Sequence, residues 1–149
     1  MNYLIAIDPG STSGIVAMTI EMVPKLVWRE VWKKKDGELP TDIIKHGLHC
    51  VQYAVIEDQY LGKNANSMKI LTRIGGRWEE ACANNGLDVK WIPPKTWQTK
   101  ILGRGNMKRD QIDKMMKLVA RQDTGIKLTA DECAAWCIGK CAIGARGRR

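Results

Sequence analysis

The apolar run Leu4-Ile5-Ala6-Ile7 passes directly into Asp8-Pro9-Gly10, and this junction limits the fold more than any other stretch. Four consecutive apolar residues ahead of a turn read as a strand buried on both faces, which belongs inside a sheet covered by helices. A carboxylate at the end of such a strand needs water, partners or a metal. Asp-Pro-Gly is also an ordinary turn signal: Pro fixes one dihedral, Gly is free to take a positive one, and Ser11 to Ser13 supply small polar loop residues. Other acids along the chain have to decide between the two readings.

The following segments extend the sheet. Gly14 to Ile20 carries β-branched Ile15, Val16, Thr19 and Ile20, and Leu26 to Trp32 is a third strand-like run. Their short links predict three neighbouring antiparallel strands. After the polar turn "KKKDGELP", Thr41 is placed to cap a short helix through Leu48, ahead of a fourth strand, "VQYAVI". The loop "EDQYLGKNANS" leads to a helix from about Met68 to Asn84 with Ile70, Leu71, Ile74, Trp78 and Ala81 as its apolar stripe. Gly75 and Gly76 fall inside that helix, which therefore either passes close to another backbone or breaks there. "DVKWI" is a fifth strand stopped by Pro93 and Pro94, and two helices follow, Lys108 to Val119 and Ala130 to about Ile143, joined by "ARQDTGIKL". The sum is an α/β chain, a mixed five-stranded sheet flanked on both faces by helices.

The 149 residues predict one domain, 1–149, closed by a basic tail over about 144–149. No apolar run reaches membrane-span length and the start lacks the flanks of a signal peptide, so a cytoplasmic protein is expected. Cys133, Cys137 and Cys141 recur every four residues. They read as small packing residues on one helix face, with a metal site at that spacing as the alternative.

The net charge is +8, and its distribution matters more than its size. Lys95, Lys100, Arg104, Lys108, Arg109, Lys114, Lys117 and Arg121 face only Asp110 and Asp113 in the same segment, and Arg146, Arg148 and Arg149 end the chain with no acid. Such a run is either a solvated face or a surface that neutralises nucleic-acid phosphates.

Against this basic background three acids stand at element ends. Asp8 ends the first strand, Glu57 ends the fourth, and Asp131 lies in the first turn of the last helix. If the first and fourth strands are parallel neighbours, Asp8 and Glu57 emerge together at the carboxyl edge of the sheet, where α/β proteins place their sites. Carboxylates brought that close repel unless a cation lies between them, and oxygen ligands suit Mg2+, with Mn2+ as a substitute. Glu57 can instead head a solvent loop. Thr129 and Glu132 have capping-box spacing, which assigns Glu132 to the cap and leaves Asp131 as an acid favoured by the helix dipole.

Four stretches in order carry a resemblance: "LIAIDPGSTSGIV", "AVIEDQY", "WIPPKTWQTKILGRGNMKRDQI" and "LTADECAAWCIG". Together they resemble the RuvC family of Holliday junction resolvases, in its smaller bacteriophage-type branch, within the ribonuclease H-like superfamily. The resemblance implies a ribonuclease H-like fold and a Mg2+-dependent endodeoxyribonuclease that resolves four-way junctions and related branched DNA by paired nicks, leaving 5′ phosphates. It implies Asp8, Glu57 and Asp131 as metal ligands and catalytic residues. The family's fourth acid falls on Ala134, which has no ligand atom. It further implies Tyr60 as a residue stacking in an opened junction, Lys63, Lys69, Arg73 and Arg77 as phosphate contacts, and Lys108 and Arg109 beside the scissile strand. Two symmetric cuts imply a homodimer, with the helix around Gly75 and Gly76 as its contact. The alternatives are a branched-DNA or flap nuclease with relaxed structure choice, and a junction-binding protein left inactive by Ala134.

Overall fold

A computed structural model of the chain describes residues 2–33, 40, 41, 44, 51–58 and 65–147, without the side chains at 65, 67 and 145–147. Strands β1 (Tyr3–Asp8), β2 (Thr12–Thr19), β3 (Leu26–Lys33), β4 (Val51–Glu57) and β5 (Asp88–Ile92) form one sheet in the order β3-β2-β1-β4-β5. β2 runs antiparallel to β1 and β3, whereas β4 is parallel to β1 and β5 is parallel to β4. β1 is therefore the central strand, which explains its uninterrupted apolar run: Leu4, Ile5, Ala6 and Ile7 are all fully buried.

Alternation along the strands divides the core in two. Leu4, Ala6, Val16, Met18, Tyr53 and Val55 pack on one face against helices α3 (Arg109–Thr124) and α4 (Ala130–Gly147). Ile5, Ile7, Ile15, Ala17, Ala54 and Ile56 pack on the other against Ile74, Trp78, Ala81 and Cys82 of helix α1 (Ala65–Asn84). The result is a ribonuclease H-like sheet covered on both faces.

α4 is apolar almost all round and lies close on the sheet because its contact residues are small. A Cβ on Gly139 would run into Met18 and Ala6, and one on Gly14 would overlap the Asp131 backbone. Gly14 thus lets the start of α4 touch β2. Cys133, Cys137 and Cys141 are free, buried and part of this packing.

Several boundaries differ from the sequence reading. Ser13 is fully buried within β2 rather than in the preceding loop. Its hydroxyl donates to the Gly10 carbonyl at 3.0 Å and accepts from Trp78 Nε1–H at 3.0 Å, so it ties the Asp-Pro-Gly turn to α1. Gly10 is not among the glycines with positive φ, so its place in the turn does not rest on that freedom. α1 begins at Ala65 and runs unbroken through Gly75 and Gly76; Gly75 sits beneath the Trp91 ring, while among the described residues nothing outside the neighbouring turns of α1 lies within 4 Å of a Cβ placed on Gly76. Ile70 does not belong to the buried stripe, being 49% exposed.

α3 extends to Thr124, where Gly125 at φ 70° ends it by donating to Arg121 O. Ala120 to Thr124, the first part of the segment read as a link, belongs to that helix and is held down by buried Ala120 and by Asp123, which accepts from Trp136 Nε1–H at 2.9 Å and pairs with Lys140 at 2.7 Å. Pro94 does not merely stop β5. It opens a single turn, α2 (Pro94–Trp97), which passes into a wider turn over Gln98–Leu102 and buries Trp97 and Leu102. α4 continues to Gly147, so most of the segment expected as a tail is its last turn. The helix expected over Thr41 to Leu48 lies largely outside the described residues. Among the described residues no helix is long and apolar enough to cross a membrane.

Candidate active site

Backbone register brings the first two acids together. Ile7 of β1 pairs with Ile56 of the parallel strand β4, so the next residues, Asp8 and Glu57, stand side by side where both strands end. Alternation from Ala6 and Val55 turns both side chains toward the α3–α4 face. They line one cavity of about 430 Å³, together with Lys95, Trp97, Arg109, Asp113 and Ala134.

Glu57 is held by a buried indole. Trp97 is 2% exposed and its Nε1–H donates to Glu57 Oε2 at 2.7 Å. The geometry follows from the chain: Glu57 pairs with Ile92, the last residue of β5, and Pro93 and Pro94 begin a helical turn immediately afterward that carries Trp97 back over the end of β4.

Asp131 approaches by a different route. Its backbone lies against Gly14, the residue opposite Asp8 in the β1–β2 ladder. The first turn of α4 is thus brought to the same sheet end, yet Asp131 is not among the cavity-lining residues. Burial pushes its carboxyl above the ordinary range, the Arg109 guanidinium pulls it back, and the Glu132 and Asp113 carboxylates push it further up.

Glu132 is committed elsewhere. Its Oε1 accepts from the Thr129 backbone N–H at 2.9 Å and from Arg29 Nη1–H at 3.1 Å, while its own N–H donates to Thr129 Oγ1 at 3.2 Å. This is the capping box read from the Thr129–Glu132 spacing, reinforced by an ion pair to β3.

Among the nucleic-acid candidates, Arg109 lines the cavity and Lys108 precedes it as the exposed residue at the start of α3. Lys69 and Arg73 are exposed on α1; Arg77 is half-buried, with Nη1 buried and lacking a hydrogen-bond partner among the described residues. Tyr60 and Lys63 lie outside the described residues. The sequence reading did not single out Lys95, Trp97 or Asp113 for the site. Asp113 had a signal, an acid one helical turn after Arg109 inside a basic run. Trp97 had only its place behind a Pro-Pro pair.

The donors offered here are carboxylate oxygens, the ligand class of a hard divalent cation. Among the described residues, no group of three or more His, Cys, Asp or Glu side chains is arranged to hold a metal ion. Two carboxylates still fit Mg2+, which commonly keeps several waters and completes its shell with substrate phosphates.

A model of the family described as crossover junction endodeoxyribonuclease RuvC matches residues 38–139. Among solved structures, Thermus thermophilus RuvC in complex with a Holliday junction substrate is 18% identical with a TM-score of 0.77, over 99% of this chain and 96% of that one. The Fowlpox virus resolvase in complex with substrate Holliday junction DNA is 12% identical with a TM-score of 0.68, over 97% and 98%. At such identities the likeness concerns the fold. No curated protein matches the chain in sequence.

Proposed function

Because the chain belongs to the RuvC family of crossover junction endodeoxyribonucleases, we propose that it is a metal-dependent, structure-selective endodeoxyribonuclease that resolves four-way junctions and related branched DNA by paired nicks. The observation that carries this reading is the pairing of Asp8 and Glu57 at the ends of adjacent parallel strands, inside a cavity edged by Lys95 and Arg109. Two acids beside two bases suit a phosphodiester substrate: the acids for a cation, the bases for phosphate oxygens. The junction-bound relatives of the same fold support a branched substrate.

In this reading Asp8 and Glu57 hold Mg2+ or Mn2+, with Asp131 reaching in from the start of α4. A cation bound there supplies Lewis acidity at the scissile phosphate and an activated water at neutral pH. Arg109 steadies charge on the phosphoryl oxygens, and Lys95 and Lys108 hold the flanking strand. Lys69, Arg73 and Arg77, with Tyr60 and Lys63, serve the arms of the junction. The product is a nick with a 5′ phosphate.

The chain works as one nuclease domain and as a homodimer, so that two sites meet two strands of a four-way substrate. Support comes from α1, where Ile70 is exposed and nothing among the described residues outside the neighbouring turns of α1 lies within 4 Å of a Cβ placed on Gly76. Sedimentation at micromolar concentration is expected to give twice the chain mass; a strict monomer with junction DNA bound would remove this element. The bacteriophage-type branch and a cytoplasmic working place belong to the same proposal.

Ala134 favours a second reading. It lines the cavity beside Asp8 and Glu57 but offers no ligand, as in a protein that binds junctions without cutting them. Synthetic four-way, three-way and linear duplexes with shared arm sequences separate the readings. Mg2+-dependent nicking confined to branched forms is expected; tight junction binding without nicking supports the second reading, and equal cutting of linear DNA supports relaxed structure choice.

A further inference from the structure

We propose that Trp97 is a positioning residue for the metal site, its indole N–H fixing the orientation of the Glu57 carboxylate at the cation position. The inference rests on the reading of Glu57 as a metal ligand. It starts from the hydrogen bond of 2.7 Å between Trp97 Nε1 and Glu57 Oε2, made by an indole that is 2% exposed.

Three features make this contact more than incidental packing. A buried indole N–H requires an acceptor, so ring and carboxylate constrain each other. The ring cannot drift, because Trp97 lies one turn after Pro94 and packs in the core with Leu102 and Met116. The indole bond is made to one carboxylate oxygen, Oε2. Glu57 has three side-chain torsions, and without the indole its carboxylate at the strand end would lose this directional restraint on its rotamers. With the indole in place, part of the entropic cost of orienting the carboxylate for a cation is met in advance by the fold. Partners of this kind typically govern metal affinity by about 10- to 100-fold.

The test compares the unsubstituted chain with Trp97→Phe and Glu57→Gln. Mn2+ binding to the DNA-free protein is followed through the electron paramagnetic resonance signal of unbound Mn2+, and nicking of a four-way junction is titrated with Mg2+. Trp97→Phe keeps an aromatic ring in the core and removes the donor. It is expected to weaken Mn2+ binding by about tenfold and to shift the Mg2+ requirement for nicking upward, with most of the maximal rate recovered at saturating metal. A merely structural Trp97 would lower folding stability without splitting metal requirement from maximal rate. If Trp97→Phe fails to fold, a benzothienylalanine at position 97, with sulfur in place of the N–H, makes the same comparison at nearly constant shape. Unchanged Mn2+ affinity in a folded donor-less variant, alongside lost affinity in Glu57→Gln, overturns this inference alone. Unchanged affinity in Glu57→Gln, or no Mn2+ binding by the unsubstituted chain, removes the metal reading and this inference with it.

Discussion

At the scale of single residues, the candidate site depends on where Asp8 and Glu57 stand and on Ala134, where the resemblance leads one to expect a fourth acid. Asp8 and Glu57 need no unusual backbone to meet; adjacent parallel strands in register suffice. Ala134 is the informative residue, since it lines the same cavity and lies on the α4 face one turn from Asp131. Ala134→Asp is expected to raise Mg2+-dependent nicking by at least tenfold while leaving junction binding nearly unchanged, because a carboxylate there adds an oxygen ligand beside two others. The gain should vanish in chelator, where the extra charge only repels its neighbours and the DNA. Nicking rate against Mg2+ concentration for both proteins checks this. A folded Ala134→Asp protein that binds junctions but cuts no faster would mean that the position packs small against the sheet and was never a missing ligand.

At the scale of elements, α4 explains why the first turn is polar and the remainder is not. Thr129, Glu132 and Arg29 satisfy its exposed N-terminus, and small residues bring the body of the helix down on β1 and β2. The same burial sets a pH dependence. Cys137 on α4 and Cys82 on α1 are each pushed up from the ordinary 9.0 to about 12, chiefly by desolvation. The folded chain therefore holds these two protons more tightly than the unfolded chain does. The stability they contribute is complete below pH 9.0, and it is lost as pH rises through 9.0 toward about 12. Denaturant midpoints should fall across that window. At pH 8, both thiols should resist alkylation until denaturant is added, as read by peptide mass spectrometry; rapid native alkylation of Cys137 would contradict the packing described for α4.

Elements were unequally legible in the sequence. The five strands could be read because each is a short apolar or β-branched run ahead of a turn, and the capping box because its chemistry lies within four residues. The end of α3 was hidden because Arg121, Gln122 and Asp123 form the exposed side of a helix whose buried contact there is Ala120. α2 was hidden because one helical turn behind two prolines has no periodicity to detect. The same shortness concealed Trp97, whose role depends on a contact with a strand forty positions earlier.

At the scale of the whole molecule, sheet order is what makes a site from distant residues. β1 and β4 are separated in sequence by two antiparallel strands, and only the parallel β1–β4 pairing brings Asp8 beside Glu57. The sequence allowed that pairing as a condition and could not impose it, since register and strand order are tertiary facts. Fold and family agree with the resemblance to the RuvC family carried by the four motif stretches. In the proposed function, the Asp8–Glu57 pair drives metal-dependent cutting of branched DNA. Its most direct test is the single-turnover nicking of an end-labelled four-way junction in Mg2+, with the unsubstituted chain and Asp8→Asn run in parallel and binding followed by gel shift in the same samples. Paired nicks are expected from the unsubstituted chain, with nicking by Asp8→Asn slower by about 100- to 1,000-fold and comparable junction binding by both; nicking by Asp8→Asn at the unsubstituted rate would contradict a metal site at Asp8.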